Sequence, residues 1–301
     1  PYLGLGPAAH SFNGRKRWWN HRNLESYLDD LGKGIAPVED EERLLPEQLR
    51  LETLFLGFRT AAGVDIDAFN RKFKRDLLKE KEYVRCIFAA APSQNEFLSS
   101  FFAEPDVDFS RIDAFHMDEY VGLPSDDLRS FRSFLESYFR RVTLHTMNFL
   151  DGTNDLEREC ERYSKLILQA PVDVVFMGIG ENGHIAFNDP QTANFNDPYW
   201  IKTVNLDRAS REQQVHDGCF DSIDSVPERA LTLTIPALMM AGRHFCIVPS
   251  ELKAKALQKT LTGPINESCP ASILRTKQGV RMFADRASYS LLKHTTGHVR
   301  L

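Results

Sequence analysis

The stretch from Val172 to Pro190, VDVVFMGIGENGHIAFNDP, constrains the chain more than any other. A short β-branched and apolar run is the pattern of a strand buried on both faces of a parallel sheet. It stops at Gly178, Gly180 and Gly183, and His184 and Asp189 follow at once. Open α/β sheets hold ligands just beyond the carboxyl ends of their strands, where glycines let backbone N–H groups approach an anion. The glycines spell a literal G-x-G-x-x-G, the dinucleotide fingerprint, but that fingerprint needs a helix to start on them. Pro190 comes seven residues after Gly183, and Asn196-Asp197-Pro198 follows, so no helix of useful length fits. The stretch therefore reads as a site loop carrying His184. The plainer alternative is a satisfied structural histidine on a tight turn.

With 301 residues, 42% hydrophobic and 26% charged, the chain can bury a sizeable core and form about two domains, or one with an appendage. A net charge of -5 gives no support to nucleic acid or a membrane surface as the main partner. No apolar run reaches the roughly eighteen residues a membrane span needs, and no signal peptide opens the chain, so a cytoplasmic location is expected. Cys86, Cys160, Cys219, Cys246 and Cys269 are scattered singly, the pattern of reduced thiols and not of a disulfide frame or a metal site.

Residues 1–78 differ in character from the rest. A glycine-rich opening leads to the basic, aromatic run Arg15-Lys16-Arg17-Trp18-Trp19-Asn20, an acidic run from Glu39 to Glu42, and amphipathic helices expected over Asn23–Leu31 and Pro46–Phe58. The basic run with its indoles reads as a solvated surface and less well as a stacking platform for nucleic acid. From residue 79 the pattern changes. Strands are expected at Val84–Ala91, Ile112–Met117, Val172 onward, Ile201–Leu206, Leu231–Thr234, Phe245–Val248 and Ile273–Leu274. Helices are expected at Glu96–Phe102, Ser130–Phe139, Leu156–Leu168, Pro236–Met240 and Lys253–Leu261. That alternation predicts an α/β fold, a doubly wound, mainly parallel, Rossmann-like sheet, carried by residues 79–301 with an N-terminal helical appendage over 1–78.

Two strand ends present ionisable groups, Asp118-Glu119 after the Ile112 strand and His184 with Asp189 after the Val172 strand. In a parallel sheet those ends share one edge, so a carboxylate and an imidazole there suit proton transfers at two positions of one substrate. Asp118 and Glu119 would otherwise merely cap the following segment. Ser93 sits on a strand-to-helix turn and Lys253 opens the helix after the Phe245 strand, both suited to an anionic group. Together these residues point to a small phosphorylated substrate.

Two resemblances add to this reading. Tyr2 to Phe12, Arg17-Trp18-Trp19-Asn20 and Glu47 to Val64 resemble the C-terminal part of coproporphyrinogen oxidase-like radical SAM proteins of the heme chaperone type. No C-x-x-x-C-x-x-C run for an iron–sulfur cluster accompanies them. From about residue 83 onward, FHMDEYVGL at 115–123, Gly178 to Pro190, Ala230 to Thr234, Lys253-Ala254 and Gly263-Pro264-Ile265 resemble the glucosamine-6-phosphate deaminase/isomerase family, related to the 6-phosphogluconolactonases. The likeness implies a hydrolase/isomerase that converts glucosamine 6-phosphate, or a close hexosamine 6-phosphate, to fructose 6-phosphate and ammonia. It implies no metal and no organic cofactor, and it leaves a homo-oligomer open. Asp118 matches the carboxylate that moves a proton between C2 and C1, and His184 the ring-opening residue. Asp189 stands where a glutamate supports that histidine. Asn182 stands where typical members have an aspartate, which removes a charge beside His184. Ser93 and Lys253 match phosphate contacts, and Gly183 and Glu119 complete the expected substrate shell. The family's phosphate arginine after the Ile201 strand has no clear counterpart: His216-Asp217-Gly218 stands near that point, and Arg208 and Arg211 are the nearest candidates. The competing expectations are a non-catalytic sugar-phosphate binding module, or a heme-trafficking fragment in residues 1–78.

Overall fold

The computed structural model describes residues 3–44, Gln48 and residues 82–292. The chain divides into two compact units, Pro1–Leu77 and Leu78–Leu301.

In the first unit Asn13-Gly14 turns the chain. Gly14 takes a φ of 97°, and the Asn13 Oδ1 accepts the Arg15 and Lys16 N–H groups at 3.1 and 2.9 Å. That turn closes a hairpin between β1 (His10–Phe12) and β2 (Lys16–Asn20). After α1 (Leu24–Gly32), capped by the Asn23 side chain, β3 (Val38–Arg43) pairs antiparallel with β2. The appendage is thus a three-stranded sheet with one helix across the described residues, not a purely helical one. The acidic run forms a strand because it lies across from the basic one: Lys16 pairs with Glu41, and Arg17 with Glu42 at 3.1 Å. The helix expected over Pro46–Phe58 lies outside the described residues, apart from Gln48.

The second unit contains β4 (Val84–Phe88), α2 (Asn95–Phe101), β5 (Ile112–His116), β6 (Asp118–Tyr120), α3 (Phe131–Phe139), β7 (Thr146–Asn148), α4 (Leu156–Ile167) and β8 (Val174–Met177). There follow β9 (Ile201–Asn205), α5 (Arg208–His216), β10 (Arg229–Leu233), α6 (Ile235–Met239), β11 (Arg243–Val248), α7 (Ala254–Thr262) and β12 (Val280–Ala284). Six strands form one parallel sheet in the order β12-β11-β8-β4-β5-β7. The chain runs outward from β4 to β5 and β7, then returns to the other side of β4 with β8. The switch point therefore lies between β4 and β8, and a crevice opens there at the carboxyl ends. Below it, two apolar clusters fill the faces of the sheet. One is built on Ile87, Val175, Met177 and Leu257, the other on Phe88, Phe102, Phe139 and Phe176.

Two sequence expectations change. Ile201–Asn205 and Arg229–Leu233 do not join the parallel sheet; with β6 they make a second, antiparallel sheet in the order β6-β10-β9. The chain stays extended just beyond β5, and the buried backbone of Asp118-Glu119-Tyr120 needs partners, which β10 supplies. Ile273-Leu274 is part of a 3-10 run, Pro270–Thr276, which Pro270 opens, and the edge strand β12 comes later.

Glu119 explains how α3 starts. Its Oε1 accepts the Tyr120 and Phe131 N–H groups at 2.9 and 3.1 Å, and its Oε2 accepts the Arg132 N–H at 2.8 Å. A buried carboxylate on the free N–H groups of a helix start is stabilised by hydrogen bonds and by the helix dipole. Glu119→Ala should lower stability by about 2 kcal/mol, read as a lower urea midpoint with an unchanged slope.

Candidate active site

The cavity at the switch point is an open cleft, with ≈ 470 Å³ of empty space counted together with the solvent at its mouth. Ser93 and Gln94 reach it from the turn after β4, Asp118 from the start of β6, and His184 from the loop after β8.

The three glycines have separate reasons. A Cβ on Gly178 would lie 2.9 Å from the Gln94 Nε2, so this glycine lets the β4 turn close against the end of β8. A Cβ on Gly180 would fall 2.1 to 2.4 Å from the atoms of the His184 ring, so the imidazole rests on bare backbone. Gly183 adopts a φ of 88° within a turn whose Gly180 N–H donates to the His184 carbonyl at 2.9 Å. The loop is then pinned to the antiparallel sheet. Phe187 N–H donates to the Thr232 hydroxyl at 3.1 Å, and the Asn188 amide donates to the Leu233 carbonyl at 2.8 Å. Thr232 is the cross-strand partner of Asp118, so one register fixes both halves of the site.

His184 has its Nδ1 3.1 Å from the Asp189 Oδ1 and 2.9 Å from the Ser210 hydroxyl. A carboxylate beside Nδ1 places a proton on that nitrogen. Asp189 is fully buried and also accepts from the Ser210 hydroxyl, from the Asn182 amide at 3.0 Å and from the Asp207 N–H at 3.2 Å. Burial pushes the Asp189 carboxyl up, but its hydrogen bonds and the facing imidazole outweigh that and hold it below the ordinary aspartate value. Asp118 is the opposite case. Burial first, and Glu119 second, raise its carboxyl well above the usual range.

The sequence-selected residues sort accordingly. Ser93, Asp118 and His184 line the cleft, and Asp189 stands directly behind His184. Gly183 shapes the loop, packed toward Cys269, and is not in the lining. Glu119 is spent on the start of α3 and does not reach the cleft, because both its oxygens are taken by backbone N–H groups. Asn182 makes no contact with the imidazole through its amide: its Oδ1 accepts the His184 backbone N–H at 3.0 Å, and its Nδ2 bridges Asp189 and Asp207 at 3.0 and 3.1 Å. Lys253 is 3% exposed and outside the lining, with no hydrogen bond or ion pair to its ammonium among the described residues. Burial lowers its pKa, against the pull of Asp217 and Glu181. Neither arginine serves the cleft. Arg208 pairs with Glu212 at 2.7 Å on the surface, and Arg211 donates to the Ile223 and Val226 carbonyls at 2.8 and 3.1 Å.

Sequence reasoning passed over Ser210, Gln94, Gln213 and Gln214. The signal for three of them was present: Asp207 caps α5 by accepting the Ser210 N–H at 2.7 Å, and Ser210, Gln213 and Gln214 share one helical face. That face is polar and nonetheless buried.

The bridging role of Asn182 has a direct test. An aspartate there would meet two carboxylates in place of donating to them. Its own pKa would be raised in the folded protein, so the penalty grows as pH rises above the ordinary aspartate value. Asn182→Asp should cost about 2 kcal/mol at pH 8 and much less at pH 4.5, measured as the difference in melting temperature from the parent at each pH.

Comparison with known proteins gives the site its context. Residues 92–283 match the family model for glucosamine-6-phosphate isomerases/6-phosphogluconolactonase. A glucosamine-6-phosphate deaminase of Streptococcus sanguinis is 33% identical over 227 residues, covering 74% of this chain and 94% of that protein. Another, of Lactobacillus delbrueckii subsp. bulgaricus, is 35% identical over 189 residues, or 62% of this chain and 79% of its relative. Among solved structures, a monomeric glucosamine-6-phosphate deaminase of the NagB superfamily superposes with a TM-score of 0.67 at 28% identity, covering 82% of this chain and 97% of that one. The relatives are named as deaminases and the family as isomerases, so the description hydrolase does not carry over. The chain belongs to the glucosamine-6-phosphate isomerase/6-phosphogluconolactonase family.

Proposed function

We propose that residues 79–301 form a glucosamine-6-phosphate deaminase, which converts glucosamine 6-phosphate and water to fructose 6-phosphate and ammonia. The observation that carries this reading is the meeting of Asp118 and His184 in one cleft at the sheet's switch point, in a chain about one-third identical to deaminases. The His184 Nε2, with Asp189 and Ser210 holding the other face of the ring, takes the proton of the C1 hydroxyl and returns it to the ring oxygen, which opens the sugar. The Asp118 carboxylate then removes the C2 proton, the carbonyl oxygen takes a proton, and an enol-amine forms. Delivery of the proton from Asp118 to C1 leaves an iminium at C2. Water adds there and ammonia leaves, giving the C2 ketone. The substrate's own amine and carbonyl hold the electron pair at each stage, and Ser93, on the cleft wall, serves the phosphate.

Asp118 must be ionised to act. Its raised pKa places the acid limb of kcat/KM above the ordinary aspartate value of about 4, and that limb should be visible in a pH profile of ammonia release. The same shift has a stability consequence. A group whose folded pKa is raised contributes stability below the unfolded pKa and loses it as pH rises through the folded pKa. Asp118→Asn should therefore abolish ammonia release, by at least about a thousandfold, while raising the melting temperature at pH 8. Ammonia release at the parent rate in that variant would sink the assignment.

Gly180→Ala should leave the strand intact but displace the imidazole, since the added methyl would overlap the ring. A loss of roughly a hundredfold in kcat is expected, with the secondary structure by circular dichroism unchanged.

A further inference from the structure

One buried ionisable group stands just behind the cleft and has no part in the chemistry above. His116 ends β5 two residues before Asp118 and is 0% exposed. The Tyr163 hydroxyl clamps its backbone, accepting the His116 N–H at 3.1 Å and donating to its carbonyl at 2.8 Å. The ring itself lies against Phe149 and Tyr163, at centroid distances of 5.3 and 6.4 Å. Its neighbours fix where its proton is. The Leu150 N–H donates to Nδ1 at 3.3 Å, so Nδ1 carries the lone pair and the proton is on Nε2. That Nε2 makes no hydrogen bond among the described residues. It faces the Glu119 Oε2 at 3.6 Å, beyond hydrogen-bond reach but close enough for the N–H dipole to act on a charge. Buried polar groups are nearly always paired, so a sealed N–H aimed at a carboxylate calls for a reason.

The reason lies in the charge beside Asp118. Both Glu119 oxygens accept backbone N–H groups, which is the pattern of a carboxylate. After burial itself, the Glu119 charge is what opposes ionisation of Asp118. Proton transfer at C2 requires Asp118 to ionise beside that charge. A donor dipole turned toward Glu119 draws the charge away from Asp118 and lowers the cost, without adding a charge of its own. The other charged groups on this corner are engaged elsewhere. Arg132, from α3, pairs with Glu136 at 2.8 Å with its guanidinium over the Phe149 ring, and Arg162, from α4, pairs with Glu159 at 2.6 Å. On the loop after β8, His184 is paired with Asp189 at 3.1 Å. Among the described residues Glu119 is the acid that the His116 imidazole faces.

We propose that His116 is a positioning residue for the proton transfer at Asp118: its Nε2–H faces Glu119 and keeps part of that charge off the neighbouring carboxylate. This rests on the deaminase reading of the cleft and deepens it. His116 is not in the cleft lining and acts through Glu119. The Leu150 N–H has its own part, since it locks the tautomer that gives the dipole its direction.

The test uses the full chain and follows the Asp118 carboxyl through a pH titration by carbon NMR on isotope-labelled protein, its signal identified by its loss in Asp118→Asn. Alongside, the acid limb of kcat/KM is recorded for ammonia release from glucosamine 6-phosphate, with melting temperature as the check on folding. His116→Asn keeps an acceptor for the Leu150 N–H but ends short of Glu119. His116→Phe keeps the bulk of the ring and loses both nitrogens, and His116→Gln brings an amide N–H to the place of Nε2. The Asn and Phe variants should raise the Asp118 midpoint by roughly half a pH unit and lower kcat/KM about threefold on the acid side, whereas Gln keeps the parent midpoint. In a Glu119→Gln background, His116→Asn should leave the midpoint where it is. A parent-like midpoint in a folded Asn or Phe variant overturns the proposal. So does an equal shift in the Gln variant, which marks a packing effect, or a shift that survives in the Glu119→Gln background. Should the parent release no ammonia, the deaminase reading fails while the titration still decides whether His116 acts on Asp118.

Discussion

The site depends on one close approach, that of the His184 ring to the backbone of Gly180. Because no Cβ stands there, the imidazole can lie back over the end of β8 and present its Nδ1 to a carboxylate that is itself out of contact with water. A buried carboxylate costs several kcal/mol in lost hydration unless donors surround it. Asp189 has four: the imidazole, the Ser210 hydroxyl, the Asn182 amide and the Asp207 N–H. Two of these come from α5 and its cap, so the loop after β8 and the helix after β9 are held by the same charge. The ring orientation needed for chemistry and the local fold are thus one constraint.

Asp118 and Asp189 show how one cleft separates two identical side chains. Asp189 is surrounded by donors and kept ionised; Asp118 is buried with no side-chain hydrogen bond among the described residues and with Glu119 beside it, so its neutral form is favoured. Pairs of titratable groups pushed in opposite directions mark acid–base work, the fixed ion orienting and the strained one exchanging protons. Glu119 contributes to that difference twice. It starts α3, which brings Phe131 to the cleft wall, and its charge raises its neighbour.

Much of this was legible in the sequence, for physical reasons. The apolar run ending at Gly178 could only be a buried strand, and Pro190 excluded the helix a dinucleotide would need; both hold in the structure. The fold class followed from alternating strands and helices. Less legible were elements whose identity is set by a distant partner. β6 has three residues and no period of its own, and it exists because β10 covers its backbone. The acidic β3 looks like solvated surface until the basic β2 is laid beside it, and the Asn13-Gly14 hairpin went unread in a segment expected to be helical. The polar face of α5 was hidden for the opposite reason. Buried polar residues look like exposed ones in sequence, and only the carboxylate they surround tells them apart.

Substitutions in such a network have meaning only with their partners. Taken alone, Asn182 in place of an aspartate looks like the loss of a charge beside His184. In the structure the imidazole already has a carboxylate, Asp189, and position 182 lies between that carboxylate and Asp207. A side chain there must donate toward both acids while accepting from the His184 backbone N–H, and an amide does so where a carboxylate cannot. Asp207 in turn is fixed because it caps α5 and so positions Ser210. The amide at 182 is therefore matched to the acid at 207, and the His184–Asp189 contact is set by the geometry of its donors and not by the number of acidic residues around it.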